Sequence, residues 1–313
     1  MKKIRIKFTD FWNGYSPENS MLVRFLKERY DVEFSETPDY IFCSCFGDDY
    51  KKYDGIRIFF TGECITPNFN DYDYGIGFDL MDFGDRYLRY PLYVFDYYYD
   101  KYATILNREP VGPEFLAQKT EFCNFVYSNN YGAEEREEFF HLLSKYKHVL
   151  SGGRWLNNVG GPVEDKLAFQ SQCKFSIAFE NQLYPGYTTE KLMDALAART
   201  VPIYFGNLES ARDFNPKSYI HCKDFDSFEA VVERVKELDA DDEAYLAMLN
   251  ENPIPANPIR PDDLKAFLYH IFDQDLADAK RRSTREDMLE KMRELPVIVE
   301  SGLVKLRKRI FKF

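Results

Sequence analysis

The chain has 313 residues, 45% of them apolar and 30% charged, a globular balance that suits two domains better than one. Its net charge of −11 argues against general nucleic-acid binding. Six cysteines (43, 45, 64, 123, 173 and 222) form no C-x-x-C pair and the four histidines have no zinc spacing, so free thiols are expected rather than disulfides or a metal knot. Aromatic residues make up 17% of the chain, which suits core packing and also sugar stacking. No run approaches the roughly 20 apolar residues that span a bilayer, and no signal peptide is evident. A cytoplasmic location is the expectation.

In chain order, residues 3–11 alternate and predict a strand. Residues 19–30 predict an amphipathic helix carrying Met21, Leu22, Phe25, Leu26 and Tyr30. Strands follow at 31–34, 40–45, 56–61 and 73–78, a series that reads as a parallel α/β domain. Two prolines and a glycine mark 107–118 as a linker. A second α/β series opens at 123–128, with a helix at 133–146 and a strand at 149–153 running into a glycine turn. After a βαβ unit at 174–206, the sequence predicts a strand at 218–222, a helix at 228–238, a four-proline crossover at 251–261 and a helix at 264–272. From 280 to 313 there are 11 Lys and Arg against 5 Asp and Glu. That gives the end of the chain a net charge of +6 and the remainder −17. Leu303, Leu306, Ile310 and Phe313 alternate with Lys305, Arg307, Lys308 and Arg309, the pattern of a basic amphipathic helix. It reads either as a helix docked on the body or as an anchor, over 297–313, for an anionic membrane surface.

The unit FSIAFENQLYPGYTTEKLMDALAARTVPIYFG at 175–206 is the most telling. An apolar strand runs into a polar loop broken by Gly186. Thr188 and Thr189 are candidate caps for the following helix, and Glu190 suits its first turn. Lys191 opposes the helix dipole and calls for an anion beside it. Helix starts at the carboxyl ends of such strands are phosphate sites. Glu180, Asn181, Tyr187, Glu190 and Lys191 would then line one pocket.

This stretch closely resembles the signature of the α-1,3/4-fucosyltransferases that use GDP-fucose, glycosyltransferase family 10. Four more pieces resemble the bacterial members in the same order: FFTGECITPNFNDYDYGIGFDLMDFGDRYLRYPLY at 59–93, NFVYSN at 124–129, SGGRWLNNVGG at 151–161 and DFNPKSYI at 213–220. The resemblance implies an α/β fold of the GT-B arrangement, two Rossmann-like domains facing across a cleft. It places an acceptor domain over 1–115, a GDP-fucose domain over 116–258 and C-terminal helices with the basic tail over 259–313. It implies inverting transfer of L-fucose from GDP-β-L-fucose to the 3-hydroxyl of GlcNAc in an N-acetyllactosamine-type glycan. A bacterial member would decorate a lipopolysaccharide-type glycan.

A single displacement needs a base for the acceptor hydroxyl, tolerance of charge on the fucose ring and cations on the leaving diphosphate. The resemblance puts the base on Glu63, which follows the apolar run 56–60 and would project from a strand's carboxyl end. It puts the cations on Arg136 and Lys191, although Arg136, among Glu134, Glu135, Glu137 and Glu138, reads on its own as a solvated ion pair. Tyr187, Asn181 and Glu190 are expected on the donor, and Glu180 either on the donor or behind it. Asp71-Tyr72-Asp73 is a D-x-D that reads as a turn. Two cations and a helix start can do a metal's work, so no metal is required, with stimulation by Mn or Mg left open. Two other readings stand beside this one: a GT-B transferase for another nucleotide sugar, and a non-catalytic sugar-nucleotide-binding module. A dehydrogenase is disfavoured, because no G-x-G-x-x-G follows the first strand.

Overall fold

A computed structural model of the chain describes residues 1–130 and 134–282. Two parallel sheets organise it. The first contains β1 (Lys2–Thr9), β2 (Tyr30–Phe34), β3 (Tyr40–Cys43), β4 (Ile56–Phe60), β5 (Tyr74–Gly77) and β6 (Tyr87–Arg89), in the order β2-β1-β3-β4-β5-β6. The second contains β7 (Glu121–Phe125), β8 (Val149–Ser151), β9 (Cys173–Phe179), β10 (Val201–Phe205) and β11 (Ile220–His221), in the order β11-β10-β9-β7-β8. The central strands β3 and β4 are buried at every position, as parallel strands covered on both faces must be. In both sheets the strand order reverses beside the first strand, between β1 and β3 and between β7 and β9. Ligand crevices open at the carboxyl ends of strands flanking such a reversal.

The helices are α1 (Met21–Lys27), α2 (Tyr97–Leu106), α3 (Glu135–Ser144), α4 (Lys166–Ser171), α5 (Glu190–Ala197), α6 (Phe228–Ala240), α7 (Asp242–Leu249), α8 (Pro261–Asp273) and α9 (Leu276–Ala279). α1 is shorter than the sequence pattern predicts. Ser20 caps its start by accepting from the Val23 N–H, and Tyr30 leaves it to pair with Lys2 in the sheet. The sequence pattern does not predict α2, α4, α7, α9 or β6. The YYYDKYATIL sequence of α2 is rich in residues of modest helix propensity; burial of Tyr102 and Ile105 in a core shared with Leu192, Met193 and Leu196 of α5 decides its conformation. α5 therefore packs on β9 and β10 of its own sheet and on α2, and so joins the second sheet to the hydrophobic cluster of the first.

The chain finally returns to its beginning. Phe272 of α8 stacks on Tyr40 at 4.1 Å, and Lys2 Nζ donates to the Phe272 carbonyl at 2.8 Å. Buried Asp73 accepts the Arg281 and Arg282 N–H groups at 2.7 and 2.8 Å on one oxygen, and the Arg57 N–H and the Arg282 guanidinium on the other. Arg281 and Arg282 thus belong to the body rather than to a free basic tail. The predicted tail at 297–313 lies outside the described residues. Among the described residues all six cysteines are free, and no helix is long and apolar enough to cross a membrane.

Candidate active site

The loop between β9 and α5 is clamped where the two sheets meet. Gly186 has φ +87°, and a Cβ there would sit 2.5 Å from the Phe78 carbonyl oxygen, so only glycine fits. Its N–H donates to Asn207 Oδ1 at 2.6 Å and its carbonyl accepts from Arg89 at 3.0 Å. The same Arg89, at the end of β6, forks onto Asp213 with bonds of 2.8 and 3.0 Å. Asp213 also accepts from the hydroxyls of Tyr93 (3.1 Å) and Thr188 (2.6 Å). This buried hub fixes the threonines that begin α5.

At that helix start the structure supplies the anion that Lys191 calls for. Glu180, buried at the end of β9, accepts the Thr189 N–H at 2.7 Å and the Thr189 hydroxyl at 2.6 Å. Lys191 Nζ lies 3.3 Å from Glu180, 3.3 Å from Glu190 and 3.0 Å from the Thr189 hydroxyl. Thr189 is the N-cap residue, but its side chain serves Glu180 instead of capping the helix. Burial pushes the Glu180 carboxyl up; Lys191 pulls against it and Glu190 adds to it. Burial also works against Glu190, but Lys191 and Lys166 overcome it and hold its carboxyl down at about 2. Lys191 is held protonated: burial lowers its pKa, and Glu190 and Glu180 more than restore it. Lys166, whose charge acts on Glu190, is held by Asp194, which it shares with Lys101 of α2, each at 2.8 Å.

Arg136 is not on the surface. Its side chain is among the largest fully buried ones, at 1% exposure, while Glu134, Glu137 and Glu138 around it are exposed. It donates to the Phe179 carbonyl at 3.0 Å and to Asn181 Oδ1 at 2.9 Å, and lies 4.2 Å over the Tyr127 ring. The reading of Arg136 as a solvated ion pair is therefore wrong: α3 turns this one position inward, beneath the end of β9. Tyr127, missed in the sequence, accepts the Phe179 N–H at 2.7 Å and donates to the Ile177 carbonyl at 3.0 Å.

Glu63 stands across from this cluster. It is exposed, three residues beyond β4, and its N–H donates to Thr61 Oγ1 at 3.0 Å. Buried Tyr187 spans the gap. Its ring meets Phe78 edge-on at 5.0 Å, and its hydroxyl makes a long 3.5 Å contact with the carbonyl of Gly62, the residue before Glu63. Burial raises the Tyr187 phenol pKa, and the charges of Glu180, Lys191, Glu63 and Glu190 all act on it. One residue thus reports that both halves of the predicted site share one locality. Of the D-x-D, Asp73 is the buried clasp already described, and Asp71 accepts from Asn68 at 2.6 Å. Among the described residues no group of three or more His, Cys, Asp or Glu is placed to hold a metal ion.

Two doubly wound sheets that meet at their strands' carboxyl ends, with an exposed carboxylate on one side and a lysine at a helix start on the other, define a two-domain glycosyltransferase of the GT-B arrangement. Residues 6–97 match the alpha-(1,3)-fucosyltransferase FucT N-terminal domain, and residues 116–250 match the C-terminal part of glycosyltransferase family 10 (fucosyltransferase). A crystal structure of an alpha1,3-fucosyltransferase superposes with a TM-score of 0.76 at 31% identity, covering 88% of this chain and 91% of that one. A second, determined with GDP-fucose, gives 0.75 at 31% identity, covering 88% and 92%. The chain belongs to glycosyltransferase family 10. The alpha-(1,3)-fucosyltransferase FucT of Helicobacter pylori is 36% identical over a match covering 85% of this chain; that match spans 62% of the relative's length. The mouse 4-galactosyl-N-acetylglucosaminide 3-alpha-L-fucosyltransferase 9 is 32% identical over 43% of this chain and 38% of its own.

Proposed function

We propose that the chain transfers L-fucose from GDP-β-L-fucose, with inversion, to the 3-hydroxyl of GlcNAc in an N-acetyllactosamine-type glycan. Family membership supports the donor, and the names of the relatives support the linkage and acceptor. The observation that supports the mechanism is the Tyr187 hydroxyl reaching the Gly62 carbonyl at 3.5 Å, which brings the loop carrying Glu63 against the segment that leads into Lys191. In the proposed step the acceptor oxygen bonds to the fucose anomeric carbon as its proton passes to the Glu63 carboxylate. The bond from that carbon to the diphosphate breaks, and GDP leaves with the electron pair. Lys191 and the first amides of α5 take up the charge growing on the diphosphate. Arg136 adds positive charge from beneath Asn181, which contacts the donor together with Tyr187. Glu190, ionised at neutral pH, steadies the positive charge on the sugar ring. With cations in these places the step requires no divalent metal.

The test is to mix the protein with GDP-fucose and N-acetyllactosamine, with and without a chelator, to follow GDP release and to assign the linkage by NMR. Glu63→Gln is expected to lose roughly 10²–10⁴-fold in turnover with donor binding intact. Full turnover by that variant would remove Glu63 from the mechanism. We further propose that the basic segment 297–313 holds the protein on an anionic membrane at the cytoplasmic face, where a lipopolysaccharide-type glycan is built. Deleting it should abolish salt-sensitive binding to anionic vesicles; unchanged binding would count against the anchor.

A further inference from the structure

Beside the Glu63 loop lies an aromatic cavity of about 380 Å³, within the roughly 300–1,000 Å³ of small-ligand clefts. Its walls come from the loop leaving β1, from α1 and from the segment entering α2. Trp12 meets Tyr15 edge-on at 4.7 Å, and Tyr15 stacks on Phe11 at 4.3 Å, so the aromatic wall is braced from behind. Phe95 forms part of the lining and packs 4.2 Å from Phe60, the last residue of β4. Leu92, also in the lining, lies 2.9 Å from where a Cβ of Gly62 would stand. The cavity and Glu63 therefore hang on the same strand end, beside the reversal point of the first sheet.

The lining mixes flat apolar faces with hydrogen-bonding groups. Asp96 and Asp100 contribute carboxylates, and Arg24 and Asn19 contribute donors. Asp96 holds a backbone φ of +48°, and one of its oxygens takes the Met21 N–H. A purely apolar ligand would strand these polar groups, and two carboxylates against one arginine disfavour an anion. A neutral pyranose satisfies both demands: its C–H face lies on an aromatic ring and its hydroxyls donate to carboxylates.

We propose that this cavity is an acceptor subsite holding a neutral pyranose ring of the glycan next to the sugar that meets Glu63, with Trp12 as its platform and Asp100 as its hydroxyl acceptor. The proposal rests on the fucosyl-transfer reading. Kinetics of Trp12→Ala and of Asp100→Asn, an exposed position that leaves the core intact, test it. Both should raise the N-acetyllactosamine KM, Trp12→Ala by about tenfold, the equivalent of a lost stacking contact, with the GDP-fucose KM unchanged. An acceptor KM within about twofold of the parent in both variants would overturn it. A second readout is independent of turnover. Trp12 and Trp155 are the two tryptophans, so a Trp155→Phe variant reports Trp12 fluorescence alone. A saturable change on titrating N-acetyllactosamine supports the subsite, and a flat titration overturns it. Absence of GDP release with GDP-fucose would sink the transferase reading, while the fluorescence result would still decide the subsite.

Discussion

Arg89 and Asp213, 124 residues apart in the chain, meet in a two-bonded fork where the two sheets join. The Asp213 side chain is fully buried and Arg89 is largely so, and the pair orients Gly186 and Thr188 ahead of α5. Removing one charge from such a pair leaves the other uncompensated, which costs about 3–5 kcal/mol. Asp213→Asn is expected to lower stability by that order in urea unfolding and to weaken GDP-fucose binding, since the Thr188 anchor goes with it. An unaltered unfolding midpoint would show that the fork does not hold the junction.

Gly186→Ala tests the loop from its backbone. The φ of +87° and the 2.5 Å approach to the Phe78 carbonyl predict a loss of roughly 2–3 kcal/mol, in the range for a strained backbone position. Calorimetry of the variant checks this. Wild-type stability would mean that the loop relaxes without cost.

The two acids around Lys191 predict opposite dependences on pH. The Glu190 carboxyl is held at about 2 against an ordinary 4.5. Ionised Glu190 therefore favours the fold above the ordinary value, and that contribution drains away as pH falls towards the folded one. Glu180 is raised, so its ionisation weighs against the fold as pH climbs from the ordinary value through the raised one. Glu190→Gln is expected to cost about 3 kcal/mol at neutral pH, with the gap to the parent narrowing on acidification below 4.5. Glu180→Gln should change the slope in the opposite sense. Urea titrations across the acid range check both signs; a Glu190→Gln gap independent of pH would contradict the charge assignment.

Much of the frame was legible in the sequence because it rests on local signals. The apolar runs of β3, β4, β9 and β10, and the glycine before the threonines of α5, each announce their element within a few residues. What escaped depends on distance. Nothing local distinguishes Arg89 as the partner of Asp213, although both lie inside stretches that resemble the family. Arg136 sits in a Glu-rich segment that reads as solvated; only the packing of α3 beneath β9 turns it inward. The D-x-D reads as a turn, and nothing local shows that its Asp73 is buried as the clasp for Arg281 and Arg282, 208 and 209 residues further on. The anion for Lys191 was predictable as a need, but sequence alone does not show that Glu180 meets it from within the chain.

The central claim is that the donor's diphosphate is gripped at the start of α5 by Lys191, across from the Glu63 carboxylate. Calorimetric titration of GDP-fucose into the parent and into Lys191→Ala tests it most directly, with unfolding midpoints showing that the variant is folded. Loss of a charge-assisted contact worth about 1.5–3 kcal/mol predicts affinity at least about tenfold weaker. Equal affinity in the folded variant would place the diphosphate elsewhere and contradict the account.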